Sequence, residues 1–228
     1  MININPNWKR IGISLSGGAD SALLTYLICK NVSASTDIHI NHQIRMWRTR
    51  PWQEYVAENV KDWFVNNFPN NFFMHKNLVP PELEESSSDT LILDEYGKEK
   101  PGNRIILRSF NEYIANKYNL DALFGGVNLN PDVHFEGALE ERNTGHIPAY
   151  YEHNGIAICH PFIHTRKDWI IKQYYDYDIL DLLNITRSCE GEFKGLDYNT
   201  YIPNQKVPEC GECFWCKERR WGIEQAIK

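Results

Sequence analysis

No lysine follows the most glycine-rich turn of this chain. The turn Ser16-Gly17-Gly18-Ala19-Asp20-Ser21 is therefore not a Walker A loop, which needs a Gly-Lys-Ser/Thr triplet. It is not the dinucleotide fingerprint either, which needs three glycines at other spacings. Positive charge is also scarce. The 24 Lys and Arg against 30 Asp and Glu leave a formal net charge of −6, so no global attraction to nucleic acid is expected, although a local basic patch is compatible with it. No run approaches the length of a membrane span, and the opening MININPNWKR lacks an apolar segment. Neither a membrane anchor nor a secretory signal is expected, which points to the cytoplasm. There is no internal repeat and no low-complexity tract beyond the serine run 86–88. The six cysteines are not spread as a disulfide framework, because four of them fall between positions 189 and 216.

What is present is an ordinary globular composition, with 42% hydrophobic and 13% aromatic residues over 228 positions. That length suits one domain with an appendage. The apolar run Ile11-Gly12-Ile13-Ser14-Leu15 reads as a buried strand, and Ala22, Leu23, Leu24, Leu27 and Ile28 fall on one helical face. The glycines thus lie at a strand-to-helix turn. A helix N-terminus offers unpaired N–H groups and a partial positive charge, and adjacent glycines let an anion approach closely. Backbone amides and the Ser16 and Ser21 hydroxyls would hold a pyrophosphate, and Asp20 suits Mg²⁺. The competing assignment is a plain turn with Asp20 or Ser21 as N-cap.

Further along, Asp37–His42 reads as a second strand, Trp52–Phe64 as a helix and Phe72–His75 as a third strand. This order predicts an α/β fold, a doubly wound parallel sheet with ligands at the C-terminal strand ends. His39, His42 and His75 match no metal template and are expected at loops or strand ends. Residues 80–103 break the pattern as a long, turn-rich surface loop, either a lid or a disordered segment. A helix is expected over Ile105–Tyr118 with Ile106, Phe110, Tyr113 and Ile114 inward. Strands follow at Ala122–Asn128 and Ile156–Pro161, separated by a polar, acidic loop, and then a mostly helical stretch from Trp169 to Leu183.

Cys210, Cys213 and Cys216 stand at i, i+3 and i+6, with Cys189 upstream. Four thiolates suit a closed tetrahedral Zn²⁺ site, with Gly211 where a knuckle turns. An iron–sulfur cluster is the rival, since the same spacing occurs in ferredoxin-type runs. Cys29 and Cys159 read as packing thiols. The chain accordingly divides into an α/β domain, 1–185, and a small zinc-binding module with a C-terminal helix, 186–228.

The SGGADS turn resembles the SGGxDS loop of the PP-loop ATP pyrophosphatases, whose fold is adenine nucleotide alpha hydrolase-like. Together with the cysteines, the chain resembles the 7-cyano-7-deazaguanine synthase (QueC) family along most of its length. The matching elements are Pro101–Arg104, Gly126-Val127-Asn128, His160–Lys167, Thr186–Cys189 and Cys210–Arg219. The departures are the order Asn103-Arg104, an insertion over 190–209, an altered segment 41–45 and an altered loop, Leu129–Gly137, that faces the acceptor in the family.

The resemblance implies a cytoplasmic, homodimeric, AMP-forming C–N ligase. It would take ATP with Mg²⁺, a 7-carboxy-7-deazaguanine acid and ammonia, with neither a membrane nor nucleic acid as partner. Ser16, Gly17, Gly18, Ala19, Asp20 and Ser21 would bind ATP, and Asp20 would hold the Mg²⁺. Arg104 and Lys167 would neutralise phosphate charge, with an ordinary surface cation as the alternative for each. Asn128 and Asp132 would meet the purine-like edge. Cys189, Cys210, Cys213 and Cys216 would bind a structural zinc that ties the last helix, through Arg219, onto the sheet. The rivals are an enzyme that stops at the amide or uses another deazaguanine acceptor, a PP-loop tRNA sulfurtransferase with an iron–sulfur cluster, and a non-enzymatic nucleotide-binding module.

Overall fold

The computed structural model describes residues 4–45, 51–79, 91–93, 99–101, 103–135, 147–191 and 207–228. In chain order these form β1 (Arg10–Ser14), α1 (Ala19–Asn31), β2 (Asp37–Arg45), α2 (Pro51–Asn67), β3 (Asn71–Val79), β4 (Leu91–Leu93) and β5 (Glu99–Pro101). There follow α3 (Asn103–Tyr118), β6 (Ala122–Phe124), β7 (Tyr150–His153), β8 (Ile156–Cys159), α4 (Lys167–Asp176), α5 (Leu180–Ile185) and α6 (Phe214–Ala226).

Six strands make one sheet in the order β3-β2-β1-β6-β8-β7. Every pairing is parallel except that of β7, which runs antiparallel along β8 at one edge. This is the expected α/β class. Side chains alternate across the sheet, so register assigns whole rows to one face. Ile11, Ile38, Phe72, Ala122 and Ala157 form one row, and Ile13, Ile40, Met74, Phe124 and Cys159 another. Both rows belong to the larger core, with α1, α2, α4 and α5 packed around them. The intervening row of Gly12, His39, Phe73, Leu123 and Ile158 faces α3, where Ile114, Ala115 and Leu120 complete a smaller core. Helix α1 is buried on nearly all sides, including Leu23, Leu24 and Ile28 at 0% exposure. Each such side chain contributes about 1.5–3 kcal/mol of transfer free energy, so the helix behind the glycine turn is firmly anchored.

Several local expectations change. His39, His42 and His75 lie inside strands, because β2 and β3 run to nine residues each. Tyr113 is 57% exposed, on the solvent side of α3 rather than inward. The stretch from Trp169 to Leu183 is two helices. They part where Asp178 enters the left-handed region at φ 54°, which a continuous helix cannot accommodate. Strand β7 gave no signal in the sequence because all four of its residues are exposed and show no alternation. Within 80–103, β4 and β5 pair antiparallel, while 80–90, 94–98 and 102 lie outside the described residues. So do 136–146 of the acidic loop and 192–206 of the insertion.

Candidate active site and four-cysteine centre

Strand β1 ends at Ser14 and α1 begins at Ala19, so the SGGADS turn sits at the C-terminal edge of the sheet, beside its centre. The N-cap of α1 is Gly18, with no side-chain cap; neither Asp20 nor Ser21 has that job. Gly17 has φ +84°, and a Cβ there would lie 2.9 Å from Val56 Cγ1, so glycine is required on both counts. The turn is held by its own serines. The Ser16 amide donates to Ser21 Oγ at 3.2 Å, the Gly18 amide donates to Ser16 Oγ at 3.3 Å, and Ser21 Oγ–H donates to the Gly18 carbonyl at 3.1 Å.

Three other segments fix the turn from outside. Tyr174 of α4 donates to the Ala19 carbonyl at 2.6 Å. Complete burial, with the Asp20 charge second, pushes that phenol well above its usual range, so it keeps its proton and its donor role. The Arg187 amide donates to the Gly17 carbonyl at 3.0 Å. The Arg187 guanidinium stacks 4.1 Å from the Trp52 ring and donates to the carbonyls of Val207 and Pro208. Gly126 packs so closely that a Cβ would lie 3.3 Å from the Ser21 nitrogen.

Lys167 is no surface cation. It is 1% exposed, and its Nζ donates to both Asp20 oxygens, at 2.6 and 2.5 Å. Glu218 of α6, at 0% exposure, places Oε2 3.7 Å from the same nitrogen. Asn128 is buried where the strand-end segment 125–130 passes the turn, and the Leu129 amide donates to the Thr165 carbonyl at 2.8 Å, two residues before Lys167. Asp132, in contrast, is exposed and paired with Arg166. Arg104 lies in the first turn of α3, and its side chain is outside the described residues. His42 is fully buried, its Nδ1 2.7 Å from the Leu15 carbonyl, and burial pushes its pKa down. The same cause lowers that of His160 at the end of β8.

The four expected cysteines come together. Their Sγ atoms all lie within 4.8 Å of one another, with Cys189 and Cys210 at 3.5 Å and Cys210 and Cys216 at 3.9 Å. The amides of Cys210 and Cys213 donate to the sulfurs of Cys189 and Cys210, each at 3.3 Å. Gly211 turns the knuckle at φ +74°, and at Gly191 a Cβ would lie 2.4 Å from Cys210 Sγ. Such a cluster could hold a metal ion. Arg219 does tie α6 down, but onto the end of α5 rather than onto the sheet, through Thr186 Oγ1 at 2.7 Å and the Leu183 carbonyl at 2.8 Å. Cys29 and Cys159 are buried packing thiols, pushed up to about 12 and about 11 by desolvation.

Residues 10–227 match the family model described as Queuosine biosynthesis protein QueC. The chain belongs to the QueC family. No curated protein matches it. Among solved structures it is similar to the U34-tRNA thiolase NcsA from Methanococcus maripaludis with its 4Fe-4S cluster, at 14% identity and a TM-score of 0.47. That alignment covers 83% of this chain and 61% of the thiolase, so the chain spans less than two thirds of its length. No helix among the described residues is long and apolar enough to cross a membrane.

Sequence reasoning missed Glu218, Tyr174, Arg166 and the linking role of Arg187 in this QueC-family chain. For Glu218 a signal was present. Phe214, Glu218 and Gly222 stand at i, i+4 and i+8 on one face of α6, and all three are buried. A glutamate on that stripe asks for a buried partner, and Lys167 is one.

Proposed function

We propose that this protein is a 7-cyano-7-deazaguanine synthase that uses ATP to convert a 7-carboxy-7-deazaguanine and ammonia to the nitrile. The observation that carries the reading is the pair of buried Lys167 and part-buried Asp20, set at a glycine turn where α1 starts without a side-chain cap at the C-terminal edge of a parallel sheet. In this reading Ser16, Gly17, Gly18, Ala19 and Ser21 hold the β and γ phosphates through amides and hydroxyls. Asp20 takes the Mg²⁺ that arrives with ATP. Lys167 and Arg104 neutralise the charge that builds on the departing pyrophosphate.

The chemistry follows from the acceptor. A carboxylate is a poor electrophile because its leaving group would be oxide. Its oxygen attacks the α-phosphorus of ATP, the bond to the β-phosphate oxygen breaks, and pyrophosphate leaves. Ammonia attacks the mixed anhydride, and AMP departs to give the amide. The amide oxygen attacks the α-phosphorus of a second ATP, pyrophosphate leaves, and departure of AMP with the two N–H protons gives the nitrile. The protein's contribution is mainly position and charge. Asn128, buried beside the turn, would hydrogen-bond the purine-like edge. Asp132 would do so only by leaving Arg166. That pairing, with the altered 129–137 loop, favours a second reading in which the reaction stops at the amide.

The thiol cluster suits zinc better than an iron–sulfur cube. A tetrahedral ion with Zn–S bonds near 2.3 Å sets its sulfurs about 3.8 Å apart, close to the spacings observed, whereas a cube spreads four thiolates over four irons. Bound there by Cys189, Cys210, Cys213 and Cys216, zinc would cross-link the segment after α5 to the start of α6. Residues 186–228 then act as an appendage that braces the 1–185 domain. A cytoplasmic homodimer completes the proposal.

The test is mass spectrometry after incubation with the deazaguanine acid, ATP, Mg²⁺ and ammonia. Nitrile with AMP is the expected result, amide selects the second reading, and unchanged acid rejects both. Asp20→Asn should abolish AMP release while leaving the four-cysteine metal content intact.

A further inference from the structure

The Lys167 ammonium has two carboxylates within reach and occupies only one. It donates to both oxygens of Asp20 and stands 3.7 Å from Glu218 Oε2, too far for a hydrogen bond. The oxygens it covers are the ones Asp20 would offer to a hard cation. Both Asp20 oxygens carry a hydrogen bond from the ammonium, so a cation that takes one of them directly displaces that bond and gains from having the lysine charge moved back. A lysine at 1% exposure cannot yield to water, because a buried charge without a partner is strongly disfavoured. Glu218 is the acceptor beside it. It is itself fully buried, on a helix packed so tightly on α4 that a Cβ at Gly222 would lie 2.8 Å from Lys167 Cγ and 3.2 Å from the Lys167 carbonyl oxygen.

We propose that Glu218 is a second seat for the Lys167 ammonium. When Mg²⁺·ATP arrives, Lys167 transfers one of its two hydrogen bonds from Asp20 to Glu218, Asp20 takes the cation on the freed oxygen, and the ammonium's remaining N–H is left for the pyrophosphate. Glu218 is a positioning residue, since it touches neither nucleotide nor acceptor and acts by deciding where the lysine charge sits. The proposal rests on the reading of Ser16–Ser21 as the ATP loop. It also gives the four-cysteine centre a part in nucleotide binding. Glu218 stands on the helix that Cys213 caps and that carries Cys216, so whatever orders the thiols orders the second seat.

The experiment is calorimetric titration of ATP at several Mg²⁺ concentrations. Glu218→Gln should raise the Mg²⁺ half-saturation by about 10- to 100-fold, the scale of one charged hydrogen bond, with ATP affinity restored at saturating Mg²⁺. General damage to the fold would weaken ATP binding at every Mg²⁺ level. Metal content at the cysteines should stay at the parent value, and Glu218→Asp should recover part of the loss. A Glu218→Gln protein with the parent's Mg²⁺ requirement overturns the proposal. A crystal structure of the parent with Mg²⁺ and a non-hydrolysable ATP analogue tests it without any variant. Lys167 on Glu218 is the expected result, and Lys167 still on both Asp20 oxygens refutes it. A parent that takes up no Mg²⁺·ATP overturns the loop reading itself, and the second seat falls with it.

Discussion

Replacing Gly222 by alanine sets two known effects against each other. In a helix interior alanine is better than glycine by about 1 kcal/mol, so propensity alone promises a more stable protein. The packing opposes it. A Cβ at 222 would lie 2.8 Å from Lys167 Cγ, 3.2 Å from Ile171 Cγ1 and 3.2 Å from the Lys167 carbonyl oxygen. Neither neighbour can retreat cheaply. The carbonyl is helix backbone, and the lysine stem is held at its far end by Asp20. Overpacking of this kind costs about 1–3 kcal/mol, so the net expectation is a loss of about 1 kcal/mol. In a chain of this size that lowers the melting temperature by about 2–4 °C. Urea unfolding followed by tryptophan fluorescence would measure it, given seven tryptophans. The same displacement of Lys167 should weaken Mg²⁺·ATP binding. An alanine variant as stable as the parent, or more so, would refute the claim that the contact of α6 with α4 at Gly222 leaves no room for a Cβ.

Three further outcomes follow from the same geometry. Lys167→Met should cost about 3–5 kcal/mol, because it removes the buried ammonium that stands between the Asp20 and Glu218 carboxylates; adding Glu218→Leu should recover much of this, and a single variant that melts like the parent would contradict the buried pairing. Cys213→Ser should lose metal, by elemental analysis, and thermal stability together, since site and local fold form as one; loss of metal without loss of stability would deny it a structural role. His39, 3% exposed and hydrogen-bonded to His75 at 2.9 Å, has its pKa lowered to about 4, chiefly by burial, so unfolding favours its protonation. Its contribution is complete above pH 6.5 and fades as pH falls toward 4, by about 3 kcal/mol at most. His39→Phe should flatten that part of a pH series of urea midpoints, and an unchanged slope would refute the assignment.

The parallel sheet and the thiol cluster were legible because each leaves a local mark. Ile11, Ile13, Ile38 and Ile40 alternate as buried strand residues, and Cys210, Cys213 and Cys216 repeat at knuckle spacing. The turn at Gly17 was legible because only glycine suits its backbone. What escaped depends on distant packing. Lys167 reads as any lysine at a helix start until α6 covers it. Glu218 sits in a run of charges, Lys217 to Arg220, that masks its place on the stripe of Phe214 and Gly222, and its partner Lys167 lies far away in sequence. Tyr113 fits an apolar stripe on paper, yet α3 turns it outward because the smaller core is already filled by Ile114, Ala115 and Leu120.

The pairing of Lys167 with Asp20 also has a consequence for how the molecule is made. The two residues are 147 positions apart, and the carbonyl of Gly17 waits for an amide still further along, at Arg187. Strand β1 and helix α1 can form early from local contacts, but the turn between them gains its outside partners only when α4 and the segment after α5 have docked. During synthesis on the ribosome the glycine turn is therefore translated well before the segments that fix it, and is one of the last parts of the sheet edge to reach its final shape. Until then a newly made chain carries the glycine turn without its outside partners. Under the proposed function, capture of ATP would thus report complete folding rather than the mere presence of the loop.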